Sequence, residues 1–227
     1  MKFLLLFCGL LLAPFAQAAG AENCGTVVIP PGLGVSSSAD ITAFNPLMVD
    51  SEYNAEAAGL MYQPLLWVSG RDDKIDWSRS IASNVTTPDD GKTYDVAMRP
   101  WQWSDGVPVT SADVLYAFKL IKAYGTSYVG YGAGGMPGMI ASVTAPDAEH
   151  VVVTLKHAVN PQWFILNGLV QLQPLPAHAW SKYTTDEIWQ QQSNPKFFSV
   201  VDGPLEIKRL DVGVDAEFVP NPRYGGA

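Results

Sequence analysis

The sequence predicts an α/β fold of the α+β kind, with mixed or antiparallel sheets, on three observations. Two segments, "PDDGKTYDVAMR" (88–99) and "IASVTAPDAEHVVVTLK" (140–156), alternate apolar and polar residues beside a tight turn, the period of half-buried strands. Between them "VTSADVLYAFKLIK" (109–122) carries apolar residues at helical spacing. Charged residues are only 16% of a chain with 20 glycines and 17 prolines, which suits a loop-rich globule rather than a helical bundle.

The chain opens with Lys2, an apolar run from Phe3 to Leu12, Pro14 and the small-residue pattern Ala16-Gln17-Ala18. This predicts a cleavable signal peptide over 1–18 and an exported protein, because the apolar run is too short to stay in a bilayer as a helix. Neither Cys8 nor Cys24 sits in a lipidation pattern. Signal removal leaves Cys24 alone, either as an unpaired thiol or with its partner outside this chain.

In chain order, "GTVVIP" (25–30) predicts a strand and "PPGLGVSSSADITAFNP" (30–46) a turn-rich connection of the kind that often forms binding sites. "EYNAEAAGLMYQPLL" (52–66) predicts a helix stopping before Pro64, and "PLLWVSGRDD" (64–73) a strand running into a turn. Asp90-Gly91 turns the first hairpin, with Tyr94, Val96 and Met98 on its buried face; Pro146-Asp147 turns the second, with Val151, Val153 and Leu155 buried. Asp105-Gly106 makes a further turn before Thr110, an N-cap with Asp113 three residues on, and the helix that follows lines up Val114, Leu115, Phe118 and Ile121 away from Lys119 and Lys122. The tail predicts short strands around 206–210 and 216–219. There is no internal repeat.

Chemistry is sparse. A formal charge of −8 without clustered Lys or Arg argues against nucleic acid. His150, His157 and His178 lack metal-ligand spacing, no Gly-x-Ser-x-Gly occurs, and Asp72-Asp73 and Asp89-Asp90 sit in turns, where Asp serves the backbone. No catalytic residue, metal or cofactor is expected. Trp101 and Trp103 share one face of an extended segment, which is either core, the favoured reading, or an aromatic platform. "GYGAGG" (130–135) matches a dinucleotide-loop pattern, but no apolar strand precedes it and Met136-Pro137-Gly138 blocks the helix that should follow. Tyr128 and Tyr131 beside it either line a ligand cleft or cap a loop.

The order of "FNP" (44–46), "MYQPLL" (61–66), "DDGKTYDVAMR" (89–99), "WSDGVPVTSADVLYAF" (103–118), "SVTAPDAEHVVVTLK" (142–156), "DGPLEIKRL" (202–210) and "NPRYGG" (221–226) resembles the family 5 solute-binding proteins of bacterial ABC transporters, which include dipeptide, oligopeptide and nickel binders. Gly203-Pro204-Leu205 stands where the family usually has Gly-Pro-Tyr, Tyr224-Gly225-Gly226 where it has Tyr-Trp-Gly, and "DWSRSIASNV" where it has Pro-x-Leu-Ala-x-Ser-Trp. Family members also continue well past this point.

The resemblance implies a periplasmic-binding-protein-like two-lobed fold (type II, cluster C) that closes on its solute by hinge motion. Residues 19–48 and 165–227 would form an incomplete first lobe and 49–164 its inserted small domain, with the second lobe absent. It implies a periplasmic, monomeric, non-enzymatic receptor that passes peptides to ABC permease subunits in the inner membrane. Nickel, an opine or an oligosaccharide are alternative solutes, and a secreted carbohydrate or ester hydrolase is the rival of another class. The implied ligand contacts are Val49, Asp50, Ser51 and Glu52, an extended stretch that pairs with peptide backbone as an added strand, followed by Tyr128 and Tyr131. The aspartate that grips a peptide's amino group in such relatives would lie in the absent lobe, and an early cysteine pairs with a later one in some of them.

Overall fold

The two hairpins pair with each other through their second strands. The computed structural model describes residues 41–49 and 51–226; the signal peptide, Cys24, the strand at 25–30 and Asp50 lie outside them. Strands β1 (Ala82–Thr86) and β2 (Thr93–Met98) are antiparallel, as are β3 (Ile140–Thr144) and β4 (His150–Leu155). β2 then pairs antiparallel with β4, Tyr94 opposite Val153 and Val96 opposite Val151, giving the order β1-β2-β4-β3. The first turn needs positive φ at Asp90 (60°) and Gly91 (101°). A Cβ on Gly91 would also stand 2.1 Å from the oxygen of Val159, so the glycine is required twice over.

The predicted faces are the buried ones. Tyr94, Val96, Met98, Val151, Val153 and Leu155 all point into the core, and Tyr94 meets the Phe164 ring at 4.8 Å between centroids. Helix α2 (Ser111–Tyr124) packs on this sheet. Its buried stripe includes Ala117 and Leu120 as well as Val114, Phe118 and Ile121, while Leu115 is only half-buried and Lys119 and Lys122 are exposed. The stripe is wider than the sequence reading because the helix is also covered from a second side by α4 (Ala177–Trp180) and α5 (Thr185–Gln190).

Asp113 caps α2 as expected, its carboxylate accepting from the Thr110 N–H at 2.9 Å. The same carboxylate accepts from the Ala177 N–H at 3.1 Å and faces the Trp103 indole Nε1 at 3.4 Å. Burial raises its pKa, and these hydrogen bonds pull the other way.

Helix α1 (Glu52–Met61) ends before Pro64 as predicted. The strand expected over 64–73 does not form. Only an isolated bridge joins Val68 to Ile75, because the Leu65 main chain is bonded to Leu172 and Ala82, and the chain turns back at Asp73 with φ 54°. Helices α3 (Pro161–Asn167), α4 and α5 lie outside the sequence reading. The tail forms the hairpin β5 (Leu205–Asp211) and β6 (Asp215–Pro220), turned by Gly213 at φ 78°.

A continuous core runs from Phe44 to Val201. Trp101 and Trp103 are 3% and 0% exposed, so they are core and offer no surface platform. Ser104 N–H donates to the Val201 oxygen at 2.7 Å, Gly203 N–H to the Met61 oxygen at 2.8 Å, and the Asn221 side chain to the Gly203 oxygen at 2.9 Å. These bonds lock the 201–204 segment between α1 and the Trp101–Trp103 strip.

Candidate functional site

Two of the sequence-nominated segments meet. Asn45 is fully buried; its side-chain oxygen accepts from the Leu47 N–H at 3.1 Å and its amide donates to the Tyr124 hydroxyl at 3.1 Å. The Met48 N–H closes the turn onto the Asn45 oxygen at 3.0 Å. An Asn followed by Pro46 thus makes a rigid corner, and the Leu47 oxygen beyond it accepts from the Val129 N–H at 3.0 Å. That bond brings the stretch beginning at Val49 beside the loop that carries Tyr128 and Tyr131.

Within the stretch, Val49 is half-buried, and its N–H and C=O have no hydrogen-bond partner among the described residues. Ser51 is extended (φ −139°, ψ 159°), but it is the N-cap of α1, its hydroxyl accepting from the Asn54 N–H at 3.2 Å. Glu52 is already helical, so it is not part of the extended run expected over 49–52. The Ser51 side chain out-competes the strand conformation by satisfying a first-turn donor. Asp50 lies outside the described residues.

The two tyrosines separate. Tyr128 is buried; its hydroxyl meets the Gln171 Oε1 at 3.1 Å, and burial pushes its pKa up to about 12. Tyr131 is 53% exposed and Val129 56%. Gln171 is the member of this constellation that sequence reasoning missed. Its amide donates to the Ala133 oxygen at 2.7 Å, and a Cβ on Gly130 would stand 2.1 Å from its Oε1, so it holds the glycine loop by direct contact. Nothing in "LVQLQP" distinguishes Gln171 from Gln173 or signals that role. Gly134 fits as tightly, since a Cβ there would be 2.0 Å from the Asn167 oxygen. The dinucleotide pattern is accordingly a packing device: the loop forms short turns against α3.

The result is a ledge of peptide groups with exposed apolar side chains and neutral polar groups. Burial raises the Tyr124 pKa, opposed by its bond from Asn45 and assisted by Asp186. Such a surface can bond an extended backbone and cover apolar side chains without demanding a charge. Elsewhere His150 Nδ1 pairs with Asp147 at 2.9 Å, which raises the His150 pKa, and His178 Nε2 pairs with Asp105 at 2.9 Å. Among the described residues no three His, Cys, Asp or Glu side chains gather as a metal site, and no helix is long and apolar enough to cross a membrane.

The architecture is that of solute-binding proteins. The oligopeptide-binding protein OppA of Haemophilus influenzae, solved with the peptide RPPGFSPFR, superposes with TM-score 0.67 at 20% identity, over 84% of this chain and 38% of that one. AppA of Bacillus subtilis, an oligopeptide-binding protein solved with a nonapeptide, gives 0.65 at 20% identity over 81% and 35%. NikZ of Campylobacter jejuni, solved with Ni(L-His), gives 0.62 at 22% identity over 81% and 34%. The chain therefore spans little more than a third of the length of these proteins. No curated protein matches it significantly. The sequence pattern of the bacterial extracellular solute-binding proteins, family 5, matches residues 77–227, well over half of the chain, and the chain belongs to that family.

Proposed function

We propose that this chain is part of a periplasmic receptor of an ABC importer, and that it captures peptides and hands them to the membrane permease without transforming them. The observation that carries the reading is Val49: a half-buried residue whose peptide groups are unpartnered among the described residues, held beside Val129 by the bond from Val129 N–H to Leu47 oxygen. A peptide strand laid along Val49 to Ser51 would gain main-chain bonds whatever its sequence, and Tyr131 and Val129 would cover its side chains. Tyr128 supports the loop from within. The peptides bound by OppA and AppA support the same solute class.

Calorimetric titration with peptides of two to nine residues tests this. Peptides are expected to bind irrespective of side chain, and Tyr131→Ala is expected to weaken them by on the order of tenfold, about 1.4 kcal/mol, at unchanged melting temperature. A panel in which no peptide binds while Ni(L-His), an opine or an oligosaccharide does would replace the solute and keep the receptor class. Turnover of any of them would favour the hydrolase. Recovery of the processed protein in the periplasmic fraction checks the location that the signal sequence over 1–18 predicts.

A further inference from the structure

A second concavity lies away from the Val49 ledge. It has a volume of about 440 Å³ and forms where the end of β2 and the strip after it face the segment 223–225 and Glu149. That volume falls within the range of about 300–1,000 Å³ typical of small-molecule sites. Its floor is apolar, formed by the exposed rings of Pro100 and Pro108 with the buried Trp101 beneath them, and its charged side chains are Arg99, Arg223 and Glu149.

The two guanidinium groups are unusual in an acidic chain of formal charge −8. Among the described residues neither has a carboxylate oxygen within 4.0 Å, whereas Arg209 has three carboxylate partners. Arg99 donates through Nη2 to the Trp77 oxygen, and its Nε is buried with no partner. Arg223 makes one long contact, Nη1 to Gln102 Oε1 at 3.4 Å. It is held beside the cleft by lying over the Asp105-Gly106 turn, where a Cβ on Gly106 would be 3.2 Å from its Cζ. A guanidinium carries five donors in a planar fork that matches a carboxylate edge, so most of the donors here have no protein acceptor. Glu149 offsets one of the two cations, leaving a net charge of +1.

We propose that this cleft binds a small organic carboxylate, a monoanion whose apolar body lies on Pro100 and Pro108, over the buried Trp101, while its carboxylate takes the free Nη donors of Arg223 and Arg99. A fully hydrated inorganic anion would leave the apolar floor unused. The site is independent of the peptide ledge.

The test is titration of the protein with 3-phenylpropionate, with 3-phenylpropanamide as the neutral isostere and inorganic phosphate as the hydrated anion, followed by the indole N–H resonance of Trp101. Saturable binding of phenylpropionate that shifts this resonance is expected, with the amide and phosphate each at least about tenfold weaker. Arg223→Gln, an exposed change outside the core, should weaken phenylpropionate by a similar factor. Arg99→Lys, which keeps the charge and loses the fork, should weaken it too. Equal binding of acid and amide, phosphate matching the carboxylate, no binding at all, or wild-type affinity in a folded Arg223→Gln protein would overturn the proposal.

Discussion

The indole Nε1 of Trp101 donates to the main-chain oxygen of Asp202 across 2.9 Å, joining two positions 101 residues apart. The Trp101 ring also meets Tyr224 edge-on at 5.5 Å, so one side chain ties the end of the hairpin layer to two segments of the tail. Trp101→Phe keeps an aromatic ring at the site but removes the donor together with the pyrrole half of the indole. We expect a loss of about 1–2 kcal/mol in urea unfolding, against about 3–5 kcal/mol for Trp103→Ala, which empties a fully buried site.

Asp202 has a carboxyl group that is fully buried, with Oδ1 accepting from the Gln63 N–H at 3.0 Å and Oδ2 unpartnered among the described residues. Burial holds its pKa well above the usual carboxylate range, and the charge of Asp113 adds to this. A raised folded pKa favours the protonated form, so the contribution is full below the unfolded carboxylate value and is lost as pH rises through the folded one. Unfolding midpoints should therefore fall from acid towards neutral pH. In Asp202→Asn, whose amide oxygen still accepts from Gln63, that component of the slope should vanish.

Gly203 is set by contact. A Cβ there would stand 2.6 Å from the carbonyl carbon of Met61 and 2.7 Å from its oxygen, both main-chain atoms that cannot swing aside. Gly203→Ala should cost about 1–3 kcal/mol, read as a lower melting temperature.

The Tyr128 hydroxyl and Gln171 form the bolt of the glycine loop. Tyr128→Phe should cost about 1 kcal/mol and speed amide exchange at residues 128–131. With its folded pKa raised to about 12, the native tyrosine contributes stability that persists from neutral pH and is lost as pH rises from the ordinary phenol range through that value. The Phe variant should lack this alkaline component.

The sequence was legible wherever structure is decided locally. The Asp90-Gly91 turn, the alternation through Tyr94, Val96 and Met98, the Thr110–Asp113 cap and the Pro64 stop all depend on residues within a few positions of one another, and all appear as read. Helix α5 was not read, because at six residues it has too few turns to show a period, although its Thr184–Glu187 capping box is a local signal. Part of the candidate site could be read too, because Asn-Pro corners and tyrosines beside glycines mark loops. What the sequence could not separate was Tyr128 from Tyr131, or Ser51 as a cap from Ser51 as strand.

By its own periodicities and turn chemistry, then, the sequence determined the two hairpins, the capped helix and the tail hairpin, and hence the α/β class. The tertiary structure alone decided that β2 pairs with β4, that Asp113 serves Ala177 and Trp103 as well as its own helix, that Gln171 props the glycine loop, and that Asp202 is sealed from water. Each of these is a contact between residues distant in the chain, and the burial that sets its energy exists only after the chain has closed around it.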